Sequence, residues 1–125
     1  GNTRADIFVE PTVVDGVSAD SRLFREEVFG PVLAVTTFET EDEAIALAND
    51  SIYGLAGSVY GAKLKPALRV AREIRAGVVT INCFGEGDVT TPFGGYKQSG
   101  FGGRDKSAWA HDQYTEIKTI WVDLS

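Results

Sequence analysis

Two adjacent carboxylates meet a rigid turn in REEVFGPVL, residues 25 to 33. Glu26 and Glu27 are neighbours and cannot both face the same way. One is free to hold a hydroxyl or a backbone amide while the other faces water. Paired acid–base catalysis of the glycosidase kind is a poor match for two such acids. Pro31 keeps Gly30 out of the helical region, so the turn at Phe29–Gly30–Pro31 either presents the Phe29 ring to a flat ligand or sends it into a core. Cys83 and His111 are the one thiol and the one imidazole. A nucleophilic cysteine needs a lowered pKa and a nearby base or oxyanion donor. Cys83 follows a branched apolar run and reads as a buried, inert thiol, and His111 as a structural or surface histidine. Their separation along the chain neither builds nor dismisses a Cys–His centre.

The second group lies in PFGGYKQSGFGGRDK, residues 92 to 106. This is not a phosphate loop, because it lacks the Gly-Lys-Ser/Thr ending, and GFGG is not a dinucleotide fingerprint. Its glycines suit tight turns and close backbone approach. Lys97 and Arg104 could hold a carboxylate, close a salt bridge or simply face water. Glu86 and Asp88, at the start of the same loop, would favour a cationic or hydrogen-bond-donating ligand, or are ordinary solvated acids.

The elements that must position these residues follow from the pattern. IFVEPTVV, residues 7 to 14, is extended, with Pro11 at an edge or strand end. VLAVTTF, 32 to 38, reads as a buried strand. TEDEAIALANDSIYG is the clearest helix, capped by Thr40 with Glu43 three positions on. LAGSVYG, 55 to 61, is a short strand. LKPALRVAREIRAG places Leu64, Leu68, Ala71 and Ile74 at helical spacing, with Gly77 as the expected C-terminal cap. VVTINCF, 78 to 84, is another strand. The predicted class is therefore α/β: a βαβαβ unit with a mostly parallel sheet, a long glycine-rich loop from Gly85 to Gly103, and a short helix near 105 to 111. The terminal YTEIKTIWVDL reads as a strand in which Ile117, Thr119, Trp121 and Asp123 alternate with Lys118, Ile120, Val122 and Leu124, and a strand with substance on both faces needs cover, such as a second subunit.

With 125 residues, the chain fits one domain. Twelve basic against eighteen acidic side chains leave a formal charge of -6, which makes a nucleic-acid backbone or an anionic membrane a poor partner. No apolar stretch is long enough for a bilayer span, and no signal peptide is recognisable. One cysteine precludes an internal disulfide and suits a reducing cytoplasm. No metal site is expected. Without methionine and opening on GNTRADIFVEP, the chain reads as processed or excised from something longer.

The combination EEVFGPVL, NDSIYGLAGSVY, RAGVVTINC, PFGGYKQSGFGGRDK and YTEIKTIWV resembles, in order, the C-terminal part of the NAD(P)-dependent aldehyde dehydrogenase superfamily. The similarity covers essentially the whole chain. GRDKS and TEIKTIW look most like the branch oxidising γ-glutamyl-γ-aminobutyraldehyde and related amino-aldehydes. The resemblance implies residues 1–113 as part of a catalytic domain and 114–125 as a terminal strand of the oligomerisation type, in a homo-oligomer. It implies that Glu27 binds the nicotinamide-side ribose of NAD or NADP and that Phe29 packs near the nicotinamide. It makes Phe84, Glu86, Asp88 and Phe93 substrate-side residues. Relatives often carry aromatics where this chain has GEGD, 85 to 88, which favours a polar or amine-bearing aldehyde. The resemblance also implies that the nucleophilic thiolate and the general-base glutamate lie in the rest of the parent chain. That thiolate attacks the aldehyde, hydride passes to NAD(P)+, and water hydrolyses the thioester. No catalytic residue is then expected in this chain, and the chain by itself is expected to be inactive. A noncatalytic ligand-binding or subunit-contact module of the same fold is the alternative.

Overall fold

The computed structural model describes residues 3–4, 8–85 and 87–125. They form two compact units, Gly1–Ser51 and Ile52–Ser125.

In the first unit, β1 (Thr3–Arg4) pairs antiparallel with β2 (Phe8–Val9). Beyond Pro11, β3 (Thr12–Val14) runs parallel to β4 (Val32–Ala34), with Thr12 opposite Val32 and Val14 opposite Ala34. The ladder continues through Val17, whose N–H donates to the Val35 carbonyl at 2.9 Å and whose side chain is buried. The crossover contains the four-residue helix α1 (Arg22–Arg25), whose N-cap Ser21 accepts from the Phe24 N–H. Arg25 fastens this crossover: its guanidinium reaches the Ala19 carbonyl at 2.7 Å and the Asp50 carboxylate at 2.6 Å. Helix α2 (Glu41–Asn49) begins as its sequence requires, with the Thr40 hydroxyl accepting from Glu43 N–H. The Glu43 carboxylate reaches back to the Glu39 N–H at 2.7 Å, one residue before the position a capping box would use. Three acids in the first turn add a favourable dipole interaction.

The second unit is a right-sized βαβ crossover. Strands β5 (Ala56–Val59) and β6 (Val78–Ile81) pair in parallel, Ala56 with Val78 through Val59 with Ile81. Helix α3 (Leu64–Glu73) packs against both. Ala67 is buried on this helix, next to the tight turn at Gly61. The α/β class with parallel pairing holds, and each parallel ladder is two-stranded.

Four local expectations are corrected. Gly77 is not a helix cap: α3 stops at Glu73, and Ile74 is already extended at ψ 123°. Gly77 is instead where the glycine-rich loop crosses, since a Cβ there would overlap the Gly94 carbonyl oxygen. The predicted strand through Phe84 ends at Ile81, because Asn82 turns left-handed at φ 55°. Its amide then clips Gly61, accepting from the N–H at 2.8 Å and donating to the carbonyl at 2.9 Å. Cys83 therefore lies past the strand and is exposed rather than buried. The short helix near 105 to 111 appears as 3-10 turns over Ala108–Tyr114.

Side chains expected to be buried in VLAVTTF are largely open; Leu33 is 59% exposed. Residues 115–125 adopt no helix or strand, and Ile117, Trp121 and Leu124 face solvent. Among the described residues only Val17 and Ala67 qualify as buried apolar core, far fewer than a self-sufficient domain of this length would carry.

Candidate functional site

The acidic pair divides its roles as adjacency demands. Glu26 closes α1: its carboxylate takes both arms of the Arg22 guanidinium, Nε–Oε1 at 2.9 Å and Nη2–Oε2 at 2.7 Å. The hydrogen bonds and charge of Arg22 hold the Glu26 carboxyl below the usual carboxylate range. Glu27 makes no hydrogen bond or ion pair among the described residues, so its carboxylate remains available to a ligand. Arg22 thus decides which acid is free. The i,i+4 spacing of Arg22 and Glu26 was present in the sequence as a signal for this pairing, and the sequence reading did not use it.

Phe29 adopts a left-handed backbone at φ 54° with its side chain 91% exposed. A bulky residue in that region is strained by roughly 1–3 kcal/mol. Gly30, which could take that conformation freely, does not have a positive φ. The turn therefore spends its strain on the aromatic residue and directs the ring outward. Glu27 and Phe29 line one cavity of about 290 Å³ with Leu23, Val28 and Val32. The turn thus sets one carboxylate without a partner among the described residues beside one exposed aromatic ring.

On the second unit, the glycine-rich loop folds back onto the βαβ crossover. Phe93 and Asp105 form an antiparallel bridge, with Phe93 N–H to Asp105 O at 2.8 Å and the return bond at 2.6 Å. Tyr96 N–H and Gly77 N–H both donate to the Gly54 carbonyl, at 2.8 and 3.0 Å. This gathering leaves a cavity of about 460 Å³ lined by Phe93, Gln98, Ser99, Phe101, Asp105 and Gln113, among others. Of the predicted substrate-side residues, Phe93 lines it, whereas Phe84 and Asp88 do not. Phe84 is 91% exposed, and Glu86 lies outside the described residues. Gln98, Ser99 and Gln113 escaped the sequence reading, because the nonlocal pairing that gathers them leaves no local pattern. Arg104 stacks its guanidinium 5.5 Å from the Tyr96 ring centre and donates to Gly103 O at 2.8 Å, rather than holding a carboxylate. His111 is exposed.

The Asp88 carboxylate accepts from the Thr90 hydroxyl at 2.5 Å and the Thr90 N–H at 2.7 Å. These bonds, the hydroxyl first, lower its pKa, with a smaller contribution from the charge of Lys106. A carboxyl with a depressed folded pKa stabilises above its unfolded pKa, and that contribution is lost as pH falls through the folded value. Carboxyl carbon NMR titration should show Asp88 ionising below ordinary aspartates, and Thr90→Val should move the midpoint upward. An identical midpoint in the variant would contradict the assignment.

Among the described residues no cluster of three His, Cys, Asp or Glu side chains is placed to hold a metal, and no helix is long and apolar enough to cross a membrane.

Known proteins complete the picture. Over all 125 residues the chain is 74% identical to the aminoacetaldehyde dehydrogenase of Pseudomonas aeruginosa, matching 25% of that protein. It is 51% identical over 116 residues to an NADP/NAD-dependent aldehyde dehydrogenase of Escherichia coli K12, covering 93% of this chain and 23% of the relative. An indole-3-acetaldehyde dehydrogenase of P. syringae, solved with NAD+, superposes with a TM-score of 0.86 at 55% identity, over 94% of this chain and 23% of that one. The chain thus spans about a quarter of the length of the curated relatives it matches. The aldehyde dehydrogenase family model matches residues 1–120, and the chain belongs to that family.

Proposed function

We propose that this chain is the cofactor-facing and substrate-side part of an enzyme that oxidises a polar or amino-substituted aldehyde to a carboxylate with NAD or NADP. The observation that carries this reading is the division of the acidic pair: Arg22 engages Glu26, leaving the Glu27 carboxylate free beside the exposed Phe29 ring.

NAD(P)+ fits these residues in part. Glu27 would accept hydrogen bonds from the hydroxyls of the nicotinamide-side ribose, and Phe29 would pack against the nicotinamide. A cavity of about 290 Å³ holds only that end of a dinucleotide, so the remainder belongs on other surfaces. Once bound, the nicotinamide supplies the hydride acceptor. The chain's own contribution is orientation, through one carboxylate and one ring fixed on a strained turn. On the second unit, Phe84, Glu86, Asp88 and Phe93 would shape the aldehyde entrance, and the acids among them would favour a cationic or hydrogen-bond-donating substrate.

In this reading the chain supplies no nucleophile. Cys83 is exposed at a strand end, and the reactive thiolate and general base are placed in further polypeptide of the kind the relatives carry. Residues 1–113 would belong to the catalytic body. The apolar stretch 114–125 would pair with a second subunit in a homo-oligomer, consistent with the solvent-facing Ile117, Trp121 and Leu124. A reducing cytoplasm suits the single free cysteine.

The test is a hybrid enzyme in which this chain replaces the matching quarter of the P. aeruginosa aminoacetaldehyde dehydrogenase. The hybrid should oxidise aldehydes with NAD+ at a rate near that of its host. A folded hybrid that binds NAD+ yet oxidises no aldehyde would favour a noncatalytic module instead.

A further inference from the structure

We propose that Lys106 is a positioning and selectivity residue: its ammonium holds the Phe93 ring and sets a positive charge beside it, disfavouring cationic aldehydes relative to neutral ones. The inference rests on the reading above, in which the loop containing Asp88 and Phe93 faces the aldehyde.

Lys106 and Ser107 are consecutive non-glycine residues with left-handed φ, 61° and 55°. Such residues persist only where the surroundings over-determine them. Here the surroundings are explicit. One residue earlier, Asp105 exchanges both backbone hydrogen bonds with Phe93. One residue later, the Ser107 N–H donates to the Val89 carbonyl at 2.8 Å. The segment is therefore tied on one side to Phe93 and on the other to the residue following Asp88. Between these ties the left-handed turn directs Lys106 back over the aromatic ring, with Nζ 5.4 Å from its centre. That distance lies within cation–π range. Lys106 and Phe93 are both half-buried.

Two consequences follow. A Phe93 ring held by an ammonium has one preferred face and orientation, which fixes the wall of the 460 Å³ cavity it lines. The same ammonium opposes the charge of Asp88 on the loop, so an incoming ammonium group meets repulsion as well as attraction.

The hybrid enzyme provides the test, with aminoacetaldehyde as the cationic probe and propanal as the neutral one. Lys106→Gln should lower the KM for aminoacetaldehyde relative to that for propanal by about threefold, the size of a partly screened like-charge repulsion. Lys106→Arg, which keeps the charge and the stacking, should retain the original ratio. A purely structural role would move both substrates together. Reductive methylation with carbon-13 supplies a readout independent of turnover. The dimethyl-lysine resonance missing from Lys106→Gln should lie upfield in the parent hybrid and return toward the others in Phe93→Leu. An unchanged KM ratio in Lys106→Gln, or a Lys106 resonance indifferent to Phe93→Leu, would overturn the proposal. A folded parent hybrid that oxidises neither aldehyde refutes the functional reading itself, and the selectivity role with it.

Discussion

Alanine at Gly77 should release the glycine-rich loop from the βαβ crossover of the second unit. The added Cβ would overlap the Gly94 carbonyl oxygen, with Gly95 Cα a further neighbour at 3.4 Å. These are backbone atoms and cannot rotate away. The loop itself has no slack, because Tyr96 and Gln98 donate to the Gly54 and Ile52 carbonyls at 2.8 and 3.0 Å. Overpacking of this kind costs roughly 3 kcal/mol. Local opening is the appropriate measure, since global two-state unfolding is not assured in a large enzyme. In the hybrid enzyme, the amides of Gly77, Tyr96 and Gln98 should exchange with solvent about a hundredfold faster. Gly30→Ala is the control for stability: its Cβ would meet only Val28 Cγ1, at 3.8 Å, and exchange should not accelerate. Unchanged protection in Gly77→Ala would mean that the loop does not cross there.

The second large effect concerns the cofactor. Because Glu27 has no partner among the described residues, its removal should leave the turn intact while deleting the carboxylate proposed to accept from the ribose hydroxyls. A hydrogen bond to a charged group contributes about 1.5–3 kcal/mol. In the hybrid enzyme, Glu27→Ala should therefore lower kcat/KM for NAD+ about 10- to 100-fold, with the melting temperature unchanged. Glu26→Ala should behave in the opposite manner, loosening α1 through the lost Arg22 pair with a smaller effect on cofactor use. A larger cofactor defect in Glu26→Ala than in Glu27→Ala would reverse the assignment of the two carboxylates.

How far the sequence disclosed this arrangement depends on the range of the interaction. The Thr40 cap of α2 and the strand–helix–strand order of the second unit were legible because capping and periodicity are local. The split between Glu26 and Glu27 was half legible: adjacency required different directions, but the spacing to Arg22 was needed to say which acid stays free. Gly77 was misread because a glycine after a helical pattern resembles a cap, whereas its actual reason lies in the Gly94 carbonyl, far along the chain. Cys83 was misread because the apolar run before it extends a strand only until Asn82 finds Gly61. The left-handed turn at Phe29 had no local signal, since glycine stood next to it as the natural candidate. The bridge between Phe93 and Asp105, and with it the cavity on the second unit, comes from tertiary pairing and leaves no periodic trace. The apolar pattern of VLAVTTF was read as a buried strand, yet Leu33 is 59% exposed and nothing among the described residues covers it.

The proposed function requires that the reactive sulfur lie outside this chain. Its most direct test is an assay of the purified 125-residue chain with NAD+ and NADP+ against a panel of neutral and amino-substituted aldehydes. The expected result is no formation of reduced nicotinamide, with Cys83→Ser indistinguishable from the parent chain. Turnover at enzyme-like rates that disappears in Cys83→Ser would contradict the account.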